Sequence, residues 1–110
     1  EMCIRDRNNS ALGQGIVTMN PTGANQDFRV EGDFDTNLIY ADASTDGVGI
    51  GTDAPTQKLD IDSDSVRLRD DKTPASANAT GDKGQIAWDS DYVYVCVATN
   101  TWKRSSLSTW

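Results

Sequence analysis

The fold is decided by the last 30 residues of the chain, GDKGQIAWDSDYVYVCVATNTWKRSSLSTW, at positions 81–110. All three tryptophans and two of the three tyrosines lie in this stretch. Because an aromatic ring brings a large apolar surface to a core, we expect the main packing unit at this end. This distribution favours a structural protein with a compact end module over an enzyme with a central cleft.

Apolar and polar residues alternate within this stretch, which predicts β-strands. The pattern marks a first strand at Ile86 and Trp88, a long strand over residues 92–99 and a third from Trp102, with turn sequences between them. We therefore predict a three-stranded antiparallel meander over residues 84–110. Both faces of its middle strand are apolar, so we expect both to be covered.

The rest of the chain carries short apolar pairs that recur roughly every ten residues, a spacing typical of an all-β meander, sandwich or solenoid. No window has the period of an amphipathic helix. Strands are predicted at Ile16 to Met19, Phe28 and Val30, Leu38 to Ala41, Val48 and Ile50, Leu59 and Ile61, and Val66 and Leu68.

Composition divides the chain into four parts. Residues 1–15 are expected to be a disordered or non-native tail, since EMCIRDR resembles spurious translation at the end of an assembled environmental sequence. Residues 16–70 form a shaft-like β region, residues 71–83 read as a linker, and residues 84–110 form the aromatic module. The chain is then the tail of a longer protein.

Two glycines interrupt one predicted strand, where Gly49 and Gly51 alternate with Val48 and Ile50. Glycine inside a strand costs stability and usually marks the close approach of another backbone. Two interpretations stay open, a β-bulge or packing against a neighbouring chain near a symmetry axis.

The apolar content is low for a self-contained core, since Val, Ile, Leu and Phe together number 20 of 110 residues. We therefore expect the chain to bury apolar surface against copies of itself, as a homotrimer. Trp88, Tyr94 and Val95 are expected to anchor the end module. The residues expected in the oligomer core are Val48, Ile50, Trp88, Tyr92, Tyr94 and Val95.

Charge and composition exclude several classes of function. The net charge of -7 argues against a nucleic-acid partner, and no apolar run reaches the ~20 residues of a membrane helix. The chain has no histidine, the usual proton shuttle near neutral pH, and no phosphate-binding glycine loop. We expect no catalytic residue, no cofactor, no enzymatic activity and no membrane partner.

One segment imitates the start of a calcium loop, with carboxylates at Asp60, Asp62 and Asp64. The imitation then fails, because Ser65 stands where such a loop has glycine and Asp71 where it has glutamate. We favour the solvent face of a strand and expect no metal site.

A candidate receptor or glycan site lies at Trp102, Lys103, Arg104 and Trp110. Exposed aromatic rings stack on sugars, and a guanidinium suits the carboxylate of an acidic sugar. The alternative is that these tryptophans form the core of the module or a trimer seam. We favour this alternative for the rings, since few other large apolar residues are available.

Two stretches resemble a known family. VGIGT at 48–52, Pro55 and KLDI at 58–61 are similar to a repeat in tail fibres and related structural proteins of tailed bacteriophages, especially marine ones. Residues 84–110 resemble a short module that ends many such proteins. Together the similar stretches cover residues 27–110.

The resemblance implies elongated, trimeric β-fibres, β-helix-like or β-prism-like, in which strands from three chains wind around one axis. It implies a structural protein of the virion, assembled in the host cytoplasm, with other virion proteins and a host surface glycan as partners. The alternative is a fragment of a bacterial cell-surface adhesin or stalk.

Overall fold

The computed structural model describes residues 5–6 and 17–110. The chain divides into two compact units, Glu1–Ser65 and Val66–Trp110. Within the described residues all regular secondary structure is β-strand, which confirms the all-β prediction. None of these residues belongs to a helix that is long and apolar enough to cross a membrane. The predicted tail lies outside the described residues, except for 5–6.

The N-terminal unit contains a two-stranded ribbon and a four-stranded sheet. Strands β3, β4 and β5 pair as antiparallel neighbours, whereas β6 joins β5 in parallel. The four sheet strands match predicted pairs. The strands of this unit are β1 (Arg5–Asp6), β2 (Val17–Thr18), β3 (Phe28–Val30), β4 (Ile39–Asp42), β5 (Gly47–Ile50) and β6 (Leu59–Ile61).

The parallel pair β5–β6 is joined by an unusually short connection, residues 51–58, where most parallel crossovers need about a dozen residues or more. The connection folds back closely under β5. A Cβ atom on Gly47 would lie 2.9 Å from the carbonyl oxygen of Gln57 and 3.1 Å from Cγ of Pro55. A Cβ atom on Gly49 would overlap the carbonyl oxygen of Thr52.

These contacts explain the spaced glycines without a second chain. The backbone that approaches Gly47 and Gly49 belongs to the loop that follows in the same chain, and Pro55 is buried there. Gly51 has a different reason, since its φ of 80° lies in the region that favours glycine. The expected packing of another chain against this strand is therefore not what the glycines require.

The four-stranded sheet covers very little apolar surface within the chain. The buried residues of the described N-terminal unit are Gly47, Gly49 and Pro55. Larger apolar side chains on its strands, such as Phe28, Val48 and Leu59, are exposed. A sheet needs a covered apolar face for independent stability, so this unit is short of a core.

The C-terminal unit is the predicted antiparallel meander. Strands β7 (Ile86–Trp88), β8 (Tyr92–Ala98) and β9 (Thr101–Ser106) pair in chain order. A bulge interrupts the register between β8 and β9 near their turn, where Asn100 has a positive φ of 53°. Asparagine tolerates this conformation better than most residues.

One face of the meander carries the core, which consists of Ala87, Tyr94, Cys96 and Trp102. Cys96 is fully buried and lies directly opposite Trp102. The Trp102 ring is 6% exposed, and its indole N–H donates to the carbonyl of Ala79 at 3.1 Å. A Cβ atom on Gly81 would come within 2.6 Å of this ring, so only glycine lets the chain pass there.

The segment that covers this core is the one that the sequence analysis describes as a linker, residues 71–83. It contains no strand, yet it belongs to the C-terminal unit, which begins at Val66. Lys72 N–H donates to the carbonyl of Trp88, and Trp102 N–H donates to the carbonyl of Ala77. Two of its small residues, Ala79 and Gly81, pack against the core and the Trp102 ring.

The strand predicted at Val66 and Leu68 is wrong, since neither residue lies in a strand. The expectation that both faces of β8 are covered is also wrong within one chain. On the face opposite the core, Ile86 is 63% exposed, Val95 37% and Val97 38%.

We predict that Trp102→Ala unfolds the C-terminal unit, because it removes most of a core of four buried side chains. Loss of a buried aromatic side chain costs ~3–5 kcal/mol. Thermal melts followed by circular dichroism would measure the change. Trp110→Ala is the matched control, since Trp110 is fully exposed, and equal effects of the two substitutions would contradict the assignment of the core.

Candidate receptor site and self-association surface

A groove of about 280 Å³ lies between β9 and the covering segment. Three of the four predicted receptor residues line it, Trp102, Lys103 and Arg104, together with Tyr94 and residues 74–77. Trp110 does not line the groove. Because Trp102 is buried, it cannot offer a ring face to a sugar, as the core interpretation of this residue expects.

Lys103 and Arg104 occupy opposite faces of β9. Arg104 is in register with Tyr94, on the core side, whereas Lys103 is in register with Val95, on the exposed side. Side chains alternate along a strand, so the Lys103 and Arg104 side chains leave β9 on opposite sides and do not converge on one acidic group. The guanidinium of Arg104 instead stacks 4.0 Å from the centroid of the Tyr92 ring. The receptor role of these four residues stays a prediction.

The residues predicted for an oligomer core fall into three environments. Tyr94 is 4% exposed, within the core of its own chain. Ile50, Trp88 and Tyr92 are half-buried, and the Trp88 indole N–H donates to the carbonyl of Leu68 at 2.8 Å. Val48 and Val95 are exposed.

A self-association surface can be defined on the C-terminal sheet from the register. Ile86 lies opposite Val95 across β7 and β8, and Trp88 lies opposite Val93. With Val97, they form an apolar face on the side away from the core. We call Ile86, Val93, Val95 and Val97 the outer face. Sequence alternation alone shows which residues lie on it, but only the structure shows that Ile86, Val95 and Val97 are exposed there while Val93 is half-buried.

Asp89, which follows β7, connects three parts of the C-terminal unit through its carboxylate. One carboxylate oxygen accepts from the N–H groups of Asp91 and Tyr92, both at 2.8 Å. The other accepts from the hydroxyls of Thr73 and Tyr94. The hydrogen bonds from Thr73 and Tyr94 hold the pKa of Asp89 well below its ordinary value. The hydrogen bond that Tyr94 donates to Asp89 also raises the pKa of Tyr94.

The segment that imitates a calcium loop uses its first carboxylate locally. Asp60 accepts from the N–H and the hydroxyl of Thr56, at 2.8 and 2.9 Å, and these bonds lower its pKa. Asp60 thus caps the loop that leads into β6. In the part of the chain that the structure describes, no three acidic or cysteine side chains converge as metal ligands.

Comparison with known proteins finds similar stretches in two phage proteins. A capsule depolymerase specific for K30/K69 from Klebsiella phage K64-1 is 45% identical over 56 residues, 51% of this chain and 7% of the relative. Depolymerase 1 of Klebsiella phage K5-2, also specific for capsule K30/K69, is 61% identical over 36 residues, 33% of this chain and 4% of the relative. No family model and no solved structure matches the chain.

These matches show that parts of the chain are similar to short stretches of two Klebsiella phage depolymerases. The chain spans less than a tenth of the length of the two relatives. Similarity to them therefore applies to a short stretch and not to the whole of either depolymerase.

We predict that the stability of the C-terminal unit falls as the pH drops below about 4, the ordinary pKa of aspartate. The carboxylate of Asp89 has a lowered pKa in the folded state, so it stabilises the fold above that pH and less on acidification. Melts of the chain and of Asp89→Asn over a pH series would show a difference at pH 7 that shrinks in acid.

Asp91→Asn is the control for this series. Asp91 is an exposed aspartate of the same turn, and its carboxylate accepts no hydrogen bond from the described residues. If the melting temperatures of the chain and of Asp89→Asn differed by the same amount at every pH, the role given to Asp89 would be contradicted.

Proposed function

We propose that the chain is a non-enzymatic structural segment of a phage tail fibre, which assembles with copies of itself and supports attachment to the host. The outer face of the C-terminal sheet carries this proposal. Ile86, Val95 and Val97 are neighbours on this face, and all three are exposed. Contiguous exposed apolar surface usually marks an interaction site.

Self-association accounts for the open face of the C-terminal unit. The C-terminal sheet leaves Ile86, Val95 and Val97 exposed on the side away from its core. Copies of the chain that cover this face would supply the missing layer of that sheet. They would also protect strand edges, which otherwise pair with other chains and aggregate.

The similarity to the depolymerases supports the placement in a tail fibre over a bacterial adhesin. Both relatives are proteins of Klebsiella phages. Since the chain corresponds to a small part of each, we propose that it has a structural role and that the depolymerisation of capsule belongs to other parts of such proteins.

We predict that the chain is a homotrimer at micromolar concentration and that Ile86→Lys with Val95→Lys makes it monomeric. Both side chains are exposed in one chain, so the fold tolerates the change, but two lysines buried at an interface would lack partners. Light scattering measures the mass. Val66→Lys, at an exposed valine outside any strand, is the control, and a monomeric parent chain with a cooperative melt would contradict the proposal.

The structural role is tested in the depolymerase of Klebsiella phage K64-1. We expect a chimera that carries this chain in place of the matched segment to degrade capsule as the parent does, whereas deletion of the segment abolishes the activity. We also expect the isolated chain to release no reducing ends from K30 or K69 capsule. Release by the isolated chain would show that it is an enzyme.

A further inference from the structure

An open cavity of about 1000 Å³ lies in the N-terminal unit and has no part in the proposed self-association. Its volume is at the upper end of the range for ligand pockets, ~300–1000 Å³. Carboxylates of Asp27, Asp42 and Asp46 and amides of Asn20 and Gln26 line it. No lysine or arginine of the described residues contributes to its wall.

The sheet supplies an apolar floor for this cavity. Phe28 of β3 lies opposite Ala41 of β4, and Ala41 lies opposite Val48 of β5. The three side chains therefore form one row across three strands, and all three line the cavity. Phe28 and Val48 are exposed in the chain, so the aromatic ring is available to a ligand.

Two of the carboxylates are held in place by the chain itself. Asp27 accepts from the Tyr40 hydroxyl at 2.6 Å through one oxygen and from Ala43 N–H at 2.9 Å through the other. Asp42 accepts from Ser44 N–H and its hydroxyl, at 2.8 and 2.6 Å, through a single oxygen. These bonds lower the pKa of Asp42, so its carboxylate is charged at neutral pH.

The acceptor positions of these carboxylates are only partly used. A carboxylate oxygen accepts about two hydrogen bonds, and the second oxygen of Asp42 accepts none from the described residues. The cavity thus combines fixed charged acceptors with an aromatic and aliphatic floor. A ligand with several hydroxyl donors and an apolar face matches both features.

We propose that this cavity binds a neutral sugar ring, which deepens the proposed function by naming the class of host ligand. Hydroxyls of the sugar donate to Asp27 and Asp42 in charge-assisted hydrogen bonds, and the C–H face of the ring packs on Phe28. An acidic sugar is disfavoured, because its carboxylate would approach the carboxylates of Asp27 and Asp42, and the nearby Lys58 ammonium donates to the Asp46 carbonyl and does not line the cavity.

The test is a titration of the isotope-labelled full chain, followed by amide chemical shifts, with D-glucose, D-galactose and D-mannose, and with D-glucuronate as the acidic counterpart. EDTA is present throughout, so that no divalent cation contributes. We expect at least one neutral sugar to shift the amides of residues 27–28 and 41–43, and glucuronate to shift none. No shift with any of the three neutral sugars, or equal binding of glucuronate, would overturn the proposal.

Variants assign the binding to the cavity. Asp42→Asn keeps the oxygen that accepts from Ser44 but replaces the free acceptor with a donor, so we expect binding to weaken about tenfold or more. Asp64→Asn makes the same chemical change at an exposed aspartate outside the cavity and should bind as the parent does. Equal affinity of Asp42→Asn and the parent would refute the site.

Measuring the mass of the same samples by light scattering distinguishes failure of the sugar proposal from failure of the self-association proposal. If the chain assembles but binds no sugar, the ligand proposal fails and self-association stands. If a monomer binds the sugar, the cavity stands and the proposed assembly fails.

Discussion

Both units of the chain close where a glycine lets another part of the chain come nearer than a Cβ atom would allow. In the C-terminal unit Gly81 of the covering segment lies against the ring of Trp102, and the carbonyl of Ala79 in the same segment accepts from the indole N–H. In the N-terminal unit Gly47 and Gly49 admit the loop that carries Pro55. With so few large apolar residues, each unit gains burial from backbone packed on a ring rather than from layers of aliphatic side chains.

The small core of each unit explains why apolar surface stays exposed on the strands. A loop that covers one side of a short sheet leaves the other side open, and the outer face around Ile86 and Val95 is such a side. Apolar residues that are uncovered in one chain have a place in an assembly in which copies supply the second layer. Low aliphatic content and exposed apolar strands then have one cause, since a chain that buries apolar surface against its copies needs fewer buried side chains of its own.

Alternation predicted the strands of the meander and most of the N-terminal sheet, because period two is a local property of the backbone. It could not predict that β6 pairs in parallel, since alternation does not depend on strand direction. Val66 and Leu68 also alternate, but they have no partner strand. Sequence could not show that residues 71–83 cover the indole of Trp102, because small polar residues are typical both of loops and of backbone packed on a ring. The separation of Lys103 from Arg104 was available from sequence, since neighbours on a strand face opposite ways.

The charges of the chain are arranged so that ligand chemistry differs between the units. In the C-terminal unit the Arg104 guanidinium stacks on Tyr92, and Asp89 accepts four hydrogen bonds. Stacking does not use the N–H donors of a guanidinium, so the receptor role of the basic end stays a prediction. In the N-terminal unit Asp42 keeps an oxygen that accepts no hydrogen bond from the described residues, beside the exposed ring of Phe28. The proposed sugar site depends on this pairing of a charged acceptor with an apolar ring.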